Sequence, residues 1–504
     1  MLNKADSPTS RIYSKLRENI YPIILLICSL AVYATQYHHP RAMFWDENYH
    51  IASAQKHIDH VMYMEPHPPL GKMLMGASDA LMGTNSTLDM HKLNETDYIK
   101  GEDAPSGMRY SGFRLPSVVL MAFSVLFFFG ILNRITQHKT VAFLFTSLII
   151  FNNSLVIQAR SAMLEGIQMF FILWAIYYWA RIITDKKTLH LRQYAILGLI
   201  IGLAVSVKVN AFILLLLFVM LFAVDQFKNL QKRKYTEVAK RLAVTAPAGV
   251  GALALVFLSV FYIHIGMGTK VIDQRTYKAS PEYLEAIRLG HTWRPSTFVT
   301  ALQDHLKYSS EYADGAPRLE ECKDGENGSS PIDWPLGKKS INFRWDKDTE
   351  NGVVEVRYLQ LVAHPIIFFS VVAGIILSLG LIMSKFIYGN KEKDTPLFYW
   401  ICAFTTLYVC YMIAIMRIER VMYLYHYLVP LVFGCINLAL VFSYIYREEI
   451  LANQRHMWIN LGAYVALIMA VFFFFMPFTY AIGMTEDQFE MRNWFSFWKM
   501  AVVH

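Results

Sequence analysis

The stretch Val118-Val-Leu-Met-Ala-Phe-Ser-Val-Leu-Phe-Phe-Phe-Gly-Ile-Leu132 carries no charge and no strongly polar group. A helix of roughly 20 apolar residues crosses a bilayer, and a run like this one has no other comfortable solvent. Similar blocks recur at Ile20–Thr35, Ala211–Val224 and Val465–Phe478. Across the 504 residues, 55% are hydrophobic and 17% charged, with mean hydropathy +0.32. An ordinary soluble domain carries about 25% charged residues. A soluble enzyme, a secreted disulfide scaffold and a disordered chain are excluded. The sequence reads as a polytopic, all-α membrane protein.

Working outward from that block, eleven spans are expected near residues 20–36, 114–134, 141–157, 167–183, 194–207, 209–225, 242–265, 360–384, 397–416, 428–446 and 458–480. Lys208 and Asn210 interrupt the stretch 194–225, which favours two short helices meeting at the outer surface over one long tilted helix. The net charge of +8 is unevenly spread. Basic residues crowd the short gaps: Lys186, Lys187 and Arg192; Lys228, Lys232, Arg233, Lys234, Lys240 and Arg241; Lys385, Lys391 and Lys393. That is the signature of cytoplasmic loops. With Lys4, Arg11, Lys15 and Arg17 also inside, the C-terminal tail lies outside. No basic groove interleaved with aromatics appears, so nucleic acid is not expected as a partner. The first block reads as a retained signal anchor, because Tyr33-Ala-Thr-Gln-Tyr-His is a poor cleavage site.

Three units follow: residues 1–265, an N-terminal transmembrane catalytic module that includes a first outer loop (37–113); residues 266–359, a second outer loop; and residues 360–504, C-terminal transmembrane helices with an outer tail. Long loops are usually functional or disordered, and the inner loops are too short for a domain. The chemistry is therefore expected on the outer face. Sequons at Asn85, Asn94 and Asn327 fall on that side. Four of the five cysteines lie in apolar blocks and Cys322 in a polar loop, which gives no disulfide framework.

Several polar residues on the outer side need a reason. Asp46 and Glu47 follow the first span between Phe44, Trp45 and Tyr49. Asp46 suits a helix N-cap before Ile51, Ala54 and Ile58; it also suits a carboxylate base whose pKa is raised in a partly dry pocket. Glu65-Pro-His-Pro-Pro-Leu-Gly-Lys72 is stiffened by three prolines, either as a turn entering a re-entrant helix or to hold His67 and Lys72 ready for a phosphate or a sugar. Arg114, Arg160, Lys208, Arg417 and Arg420 all lie outside, against the usual charge bias. Arg114 alone could be an interfacial anchor, and Glu165 could pair with Arg160; together the cations suit an anionic headgroup. An aromatic belt accounts for Tyr423, Tyr425 and Tyr427, but not for His426 near two arginines. His57 and His60 could share a helix face and a metal, although loop histidines are more often simply solvated. No cofactor is firmly implied, no metal ligand is assigned, and a divalent metal remains open.

Six segments together resemble the protein O-mannosyltransferase family: Trp45-Asp-Glu-Asn-Tyr-His50, His67-Pro-Pro-Leu-Gly-Lys72, Gln158-Ala-Arg-Ser-Ala-Met-Leu-Glu165, Gly202-Leu-Ala-Val-Ser-Val-Lys208, Ser330-Pro-Ile-Asp-Trp-Pro335 and Tyr423-Leu-Tyr-His-Tyr-Leu-Val-Pro430. The resemblance implies a GT-C glycosyltransferase fold of about eleven transmembrane helices with two large outer loops. It also implies inverting transfer of mannose from a polyprenyl (dolichyl-type) phosphate to Ser or Thr hydroxyls of proteins. Asp46 would then be the catalytic base and Glu47 would shape the site. Arg160, Lys208 and Arg420 would hold donor phosphate, and His67 would hold the first loop against the carrier. Lys72, Arg114 and His426 join the donor-binding candidates, with Glu165 and Tyr425 supporting them.

The chain departs from the family in having a second outer loop too short for a β-trefoil insert, and in carrying Glu165 where Asp is usual. The short loop favours a minimal enzyme of a bacterial inner membrane, with the endoplasmic reticulum as the alternative. Two alternative functions stand beside this one. One is a polyprenyl-phosphate-sugar transferase acting on a lipid or polysaccharide, as in the related aminoarabinose transferases. The other, from a different class, is a lipid transporter or flippase, which would call for inverted repeats broken at the midplane.

Overall fold

The computed structural model describes residues 20–185, 188–273, 275–323, 325–350, 353–389 and 394–503. The basic N-terminus and Lys186, Lys187, Lys391 and Lys393 lie outside the described residues.

Every one of the eleven apolar blocks is helical. Among the described residues eight helices are long and apolar enough to cross a membrane: Ser111–Thr136, Leu164–Thr184, Val209–Gln231, Tyr235–Met267, Pro365–Tyr388, Thr395–Ile415, Leu424–Ile445 and Arg455–Tyr480. A ninth candidate is a pair of segments, Lys139–Ile150 and Asn153–Ala159, that meet at 64°. Asn152 sits at the corner and its side chain caps the second segment, accepting from the Ser154 and Leu155 amides. The remaining two, Ile20–Ala34 and Leu191–Val207, are 15 and 17 residues long, short for a straight span.

The break expected at Lys208 is real. Helix Leu191–Val207 ends there with Lys208 extended (φ −156°, ψ 131°), and a short 3₁₀ turn leads into Leu215–Gln231. Gly198 and Gly202 bring this first helix against Tyr235–Met267. A Cβ on Gly198 would stand 2.1 Å from the Gly249 carbonyl oxygen, so only glycine permits the approach. The first apolar helix joins the bundle through Tyr33 Oη, which donates to the Ile149 carbonyl at 2.6 Å, and Ser29 Oγ, which donates to that of Ala122 at 3.0 Å.

The second outer loop, read as functional or disordered, is folded through most of its described length. It forms helices Pro281–Arg288 and Pro295–Asp314, then an antiparallel hairpin of β1 (Ile341–Glu350) and β2 (Val353–Leu361). The C-terminal tail supplies β3 (Gly483–Met484), which pairs with β2. Trp498 is buried nearby, with Ser340 N–H donating to its carbonyl. The two outer loops are also joined. Met62 N–H donates to the Lys270 carbonyl at 2.8 Å, and Met62, Met64, Ile265, Tyr283, Ile287 and Ala301 form one small core. Aqueous chain of this kind folds because it can bury apolar surface against its neighbours.

Two of the sequons are used structurally. Asn85 Nδ2 donates to both Asp79 oxygens and to the Arg109 carbonyl, while its Oδ1 accepts the Arg109 amide at 2.8 Å. Asn94 Nδ2 donates to Asp59 at 2.7 Å. Both side chains are buried, whereas Asn327 is partly exposed. Mass spectrometry of protein made in a glycosylating host should find Asn85 and Asn94 unmodified in the folded fraction. Asn85→Ala should cost about 1–3 kcal/mol in unfolding experiments by stranding buried partners.

Candidate functional site

The chain reaches the site through a strained turn. Trp45 has φ +52°, a conformation that costs a bulky residue about a kcal/mol or more. Its ring is held 5.2 Å from both Tyr423 and Phe343 of β1, centroid to centroid. Helix Glu47–Ile58 starts at the next turn, and the two acids at its start point to different surroundings.

Glu47 is fully buried and faces Arg114. The two form a bidentate pair, Nε to Oε1 and Nη2 to Oε2, each 2.7 Å. Glu47 Oε1 also accepts the Ala162 amide at 2.8 Å. Arg114 spends its remaining donors on the Pro40 and Ala42 carbonyls at 2.9 Å and Tyr37 at 3.4 Å. Its planar fork is saturated.

Asp46 occupies the N-cap position, yet its side chain makes no capping bond. Oδ2 instead accepts from Tyr425 Oη at 3.2 Å, across 379 residues of sequence. Burial, reinforced by the Glu165 charge, pushes the Asp46 carboxyl up to about 6, against the pull of Lys208, Tyr425 and Lys72.

Around Asp46 lies a cleft of about 540 Å³, lined by Tyr49, His50, Glu65, His67, Arg420 and Tyr425 among others. Two ion pairs stand beside it. Lys208 Nζ meets Glu165 Oε1 at 2.7 Å and lies 5.4 Å from the Tyr425 ring centre. Lys72, fully buried, pairs with Glu65. Burial lowers Lys72 from its ordinary range, and burial beside Lys72 and Lys208 holds His67 well below the usual histidine value, so that ring stays neutral. His426 stacks on Tyr425 (4.5 Å) and on the buried Trp334 (6.1 Å). Tyr411 Oη donates to the His426 carbonyl at 3.1 Å and accepts from Asn210, which ties this stack to the helix break after Lys208.

The structure therefore brings Asp46, His67, Lys72, Glu165, Lys208, Arg420, Tyr425 and His426 to one place. It does not bring Arg114 or Arg160 there as free cations. Arg160 donates to the Thr35, Gln36 and Thr479 carbonyls and packs 4.2 Å from the Tyr480 ring centre, closing two helix ends. The expected Glu165–Arg160 pair is replaced by Glu165–Lys208. His57 and His60 also part company. His57 is buried with Nε2 3.3 Å from His264 Nδ1, whereas His60 is exposed. Among the described residues no group of three or more His, Cys, Asp or Glu side chains is placed to hold a metal. Tyr308 and Tyr312 also line the cleft with no local motif to mark them; their i,i+4 spacing on one helix is the available signal.

A helical bundle that hangs folded outer loops over a carboxylate and several cations is the GT-C glycosyltransferase architecture of a multi-pass membrane protein. The Saccharomyces cerevisiae protein O-mannosyltransferase Pmt1–Pmt2 complex bound to the sugar donor shares the fold with a TM-score of 0.81, at 14% identity, over 95% of this chain and 92% of that one. The family described as dolichyl-phosphate-mannose-protein mannosyltransferase matches residues 23–267, and the C-terminal four-transmembrane region of protein-O-mannosyltransferase matches residues 309–498. The chain belongs to the protein O-mannosyltransferase family. Protein O-mannosyl-transferase 2 of Drosophila melanogaster is 26% identical over 263 residues, 49% of this chain and 32% of that protein. Dolichyl-phosphate-mannose–protein mannosyltransferase 3 of Saccharomyces cerevisiae is 27% identical over 199 residues, 39% of this chain and 25% of that protein. The matches thus span about a quarter to a third of these relatives.

Breaking the Glu47–Arg114 pair strands a buried charge. Arg114→Ala or Glu47→Ala should each destabilise by about 3–5 kcal/mol, measured as a large loss of thermal stability in detergent, and a double-mutant cycle should show strong coupling.

Proposed function

We propose that this protein transfers mannose from a polyprenyl (dolichyl-type) phosphate to Ser or Thr hydroxyls of proteins, with inversion, on the outer or lumenal face of its membrane. The observation that carries the reading is the elevated Asp46 carboxylate on a cleft flanked by cations. A lipid phosphate is already a good leaving group, so the reaction needs a base, positive charge near the departing phosphate, and exclusion of water. Asp46 accepts the proton of the acceptor hydroxyl as that oxygen attacks the anomeric carbon. The bond from that carbon to the phosphate oxygen breaks, and the polyprenyl phosphate leaves with the electron pair. One displacement inverts the centre, and no covalent enzyme intermediate is required.

Arg420 in the cleft and Lys208 beside it supply positive charge for the phosphate. Lys208 remains tethered by Glu165, and Lys72 by Glu65, so the cations are fixed before donor arrives. His67, neutral, can hydrogen-bond without adding charge. Helices Val209–Gln231 and Thr395–Ile415, which begin or end near Lys208 and Tyr411, also frame an apolar groove of about 700 Å³ lined by Trp179, Met220, Phe227 and Trp400. Such a groove suits a prenyl chain entering from the bilayer. The basic turn from Lys228 to Arg241 lies at the opposite end of these helices from Asp46, which agrees with a site outside the cytoplasm.

The test is Asp46→Asn. Transfer should fall by at least about a thousandfold while donor binding persists; normal transfer by the variant would overturn the assignment. Stability gives an independent reading. A carboxyl raised from 3.8 to about 6 on folding favours the folded state fully below pH about 4, and that contribution is lost as pH rises through about 6. Ionised Asp46 therefore costs about 2–3 kcal/mol near neutral pH. Asp46→Asn should raise the melting temperature at neutral pH, and the gain should shrink in acid.

A further inference from the structure

The inner stripe of helix Pro295–Asp314 runs Ala301, His305, Tyr308, Tyr312, at spacings of four, three and four residues. This is the one-face pattern of an α-helix. Along the stripe the environment changes from closed to open. Ala301 and His305 are buried, Tyr308 is half-buried, and Tyr312 is 44% exposed. The buried half anchors the helix in the small core with Met62, Met64, Ile265 and Tyr283. Ser309 Oγ donates to the Glu65 carbonyl at 3.3 Å, fixing the open half beside the cleft. Tyr308 and Tyr312 then line the same cleft as Asp46, together with Tyr49. Tyr49 packs against Tyr98 at 4.8 Å and lies within electrostatic range of Tyr312, Asp46 and Tyr423.

We infer that this helix forms the acceptor wall, with Tyr308 and Tyr312 as specificity-determining residues that hold an extended polypeptide segment across Tyr49 so that its Ser or Thr hydroxyl reaches Asp46. The inference rests on the transfer reading above and names who reads its acceptor. Arg420, Lys208 and Lys72 are the cations of this region, suited to a donor phosphate. The stretch from Tyr308 to Tyr312 brings phenols instead, and the charges near it are already paired: Asp97 with Lys56 and Arg275, Glu65 with Lys72. Tyrosines offer large rigid contact area at low entropic cost, plus hydroxyls for peptide groups. The outer face of the helix carries Gln303, Lys307, Ser310, Glu311 and Asp314, all exposed, so this wall is reached from water. A lipid acceptor would come from the bilayer side instead. A Ser or Thr hydroxyl stands one carbon from its main chain, so the chain itself must enter the cleft, which Gly315, Ala316 and Pro317 also line.

The test compares wild type, Tyr312→Ala, Tyr308→Ala and the outward-facing control Gln303→Ala, using dolichyl-phosphate mannose with a Thr-containing peptide. KM for the peptide should rise about five- to tenfold in each tyrosine variant, while KM for the donor stays unchanged. Tyr312→Phe should recover most of the loss, and Gln303→Ala should match wild type. Unchanged peptide KM in the tyrosine variants, or an equal rise in donor KM, overturns the acceptor wall while leaving the transfer reading intact. A wild type that glycosylates a lipid or an oligosaccharide in preference to the peptide overturns the polypeptide assignment. A wild type that transfers mannose to none of these acceptors overturns the transfer reading itself, and the acceptor wall with it.

Discussion

The bidentate pair between Glu47 and Arg114 is the constraint from which the site follows. Two adjacent carboxylates at the start of one helix cannot both be buried and charged without compensation. Glu47 receives a saturated guanidinium and a backbone amide. It thereby welds three pieces of chain together: the start of its own helix, the start of the long helix Ser111–Thr136, and the turn at Ala162. Asp46 is left with a single phenolic donor at 3.2 Å. One acid is neutralised and structural; its neighbour is held under-compensated by the same rigid turn. Trp45, kept in the left-handed region by aromatic packing, makes that division geometrically feasible.

The cations divide in the same manner. Arg160 satisfies main-chain carbonyls where two helices end, Arg114 satisfies those of the loop between Tyr37 and Ala42, and both are buried among protein rather than facing the cleft. Lys208 and Lys72 are tethered by acids but remain beside Asp46, and Arg420 lines the cleft with it. Orphan carbonyls at helix ends need donors when water is scarce, and an arginine supplies several at once. The cations thus fall into two groups, those that hold the frame and those left beside the cleft.

The helical architecture was legible because each span announces itself as an uninterrupted apolar block, and Lys208 marked its own break. Asp46, His67, Lys208 and Arg420 were legible from local motifs. What escaped was long-range. Arg114 and Arg160 looked like phosphate ligands because a sequence shows a charge on the outer side but not the carbonyls that surround it. Glu165 was paired with the nearest arginine in sequence, whereas the helix break brings Lys208 to it across 43 residues. The second outer loop looked loose because its proline- and glycine-rich centre hides an amphipathic helix and a hairpin completed by the distant tail. Tyr308 and Tyr312 reach the cleft only through that fold.

If Asp46 acts as the proposed base, tuned by partial burial, the pH dependence of kcat/KM for peptide transfer reports it most directly. A phosphodiester such as the proposed donor stays ionised across the relevant range, so the enzyme's own group controls the profile. With Asp46 raised to about 6, the rate should climb with a single ionisation through that pH and level off above it. A profile that is flat from well below to well above that midpoint would contradict the account.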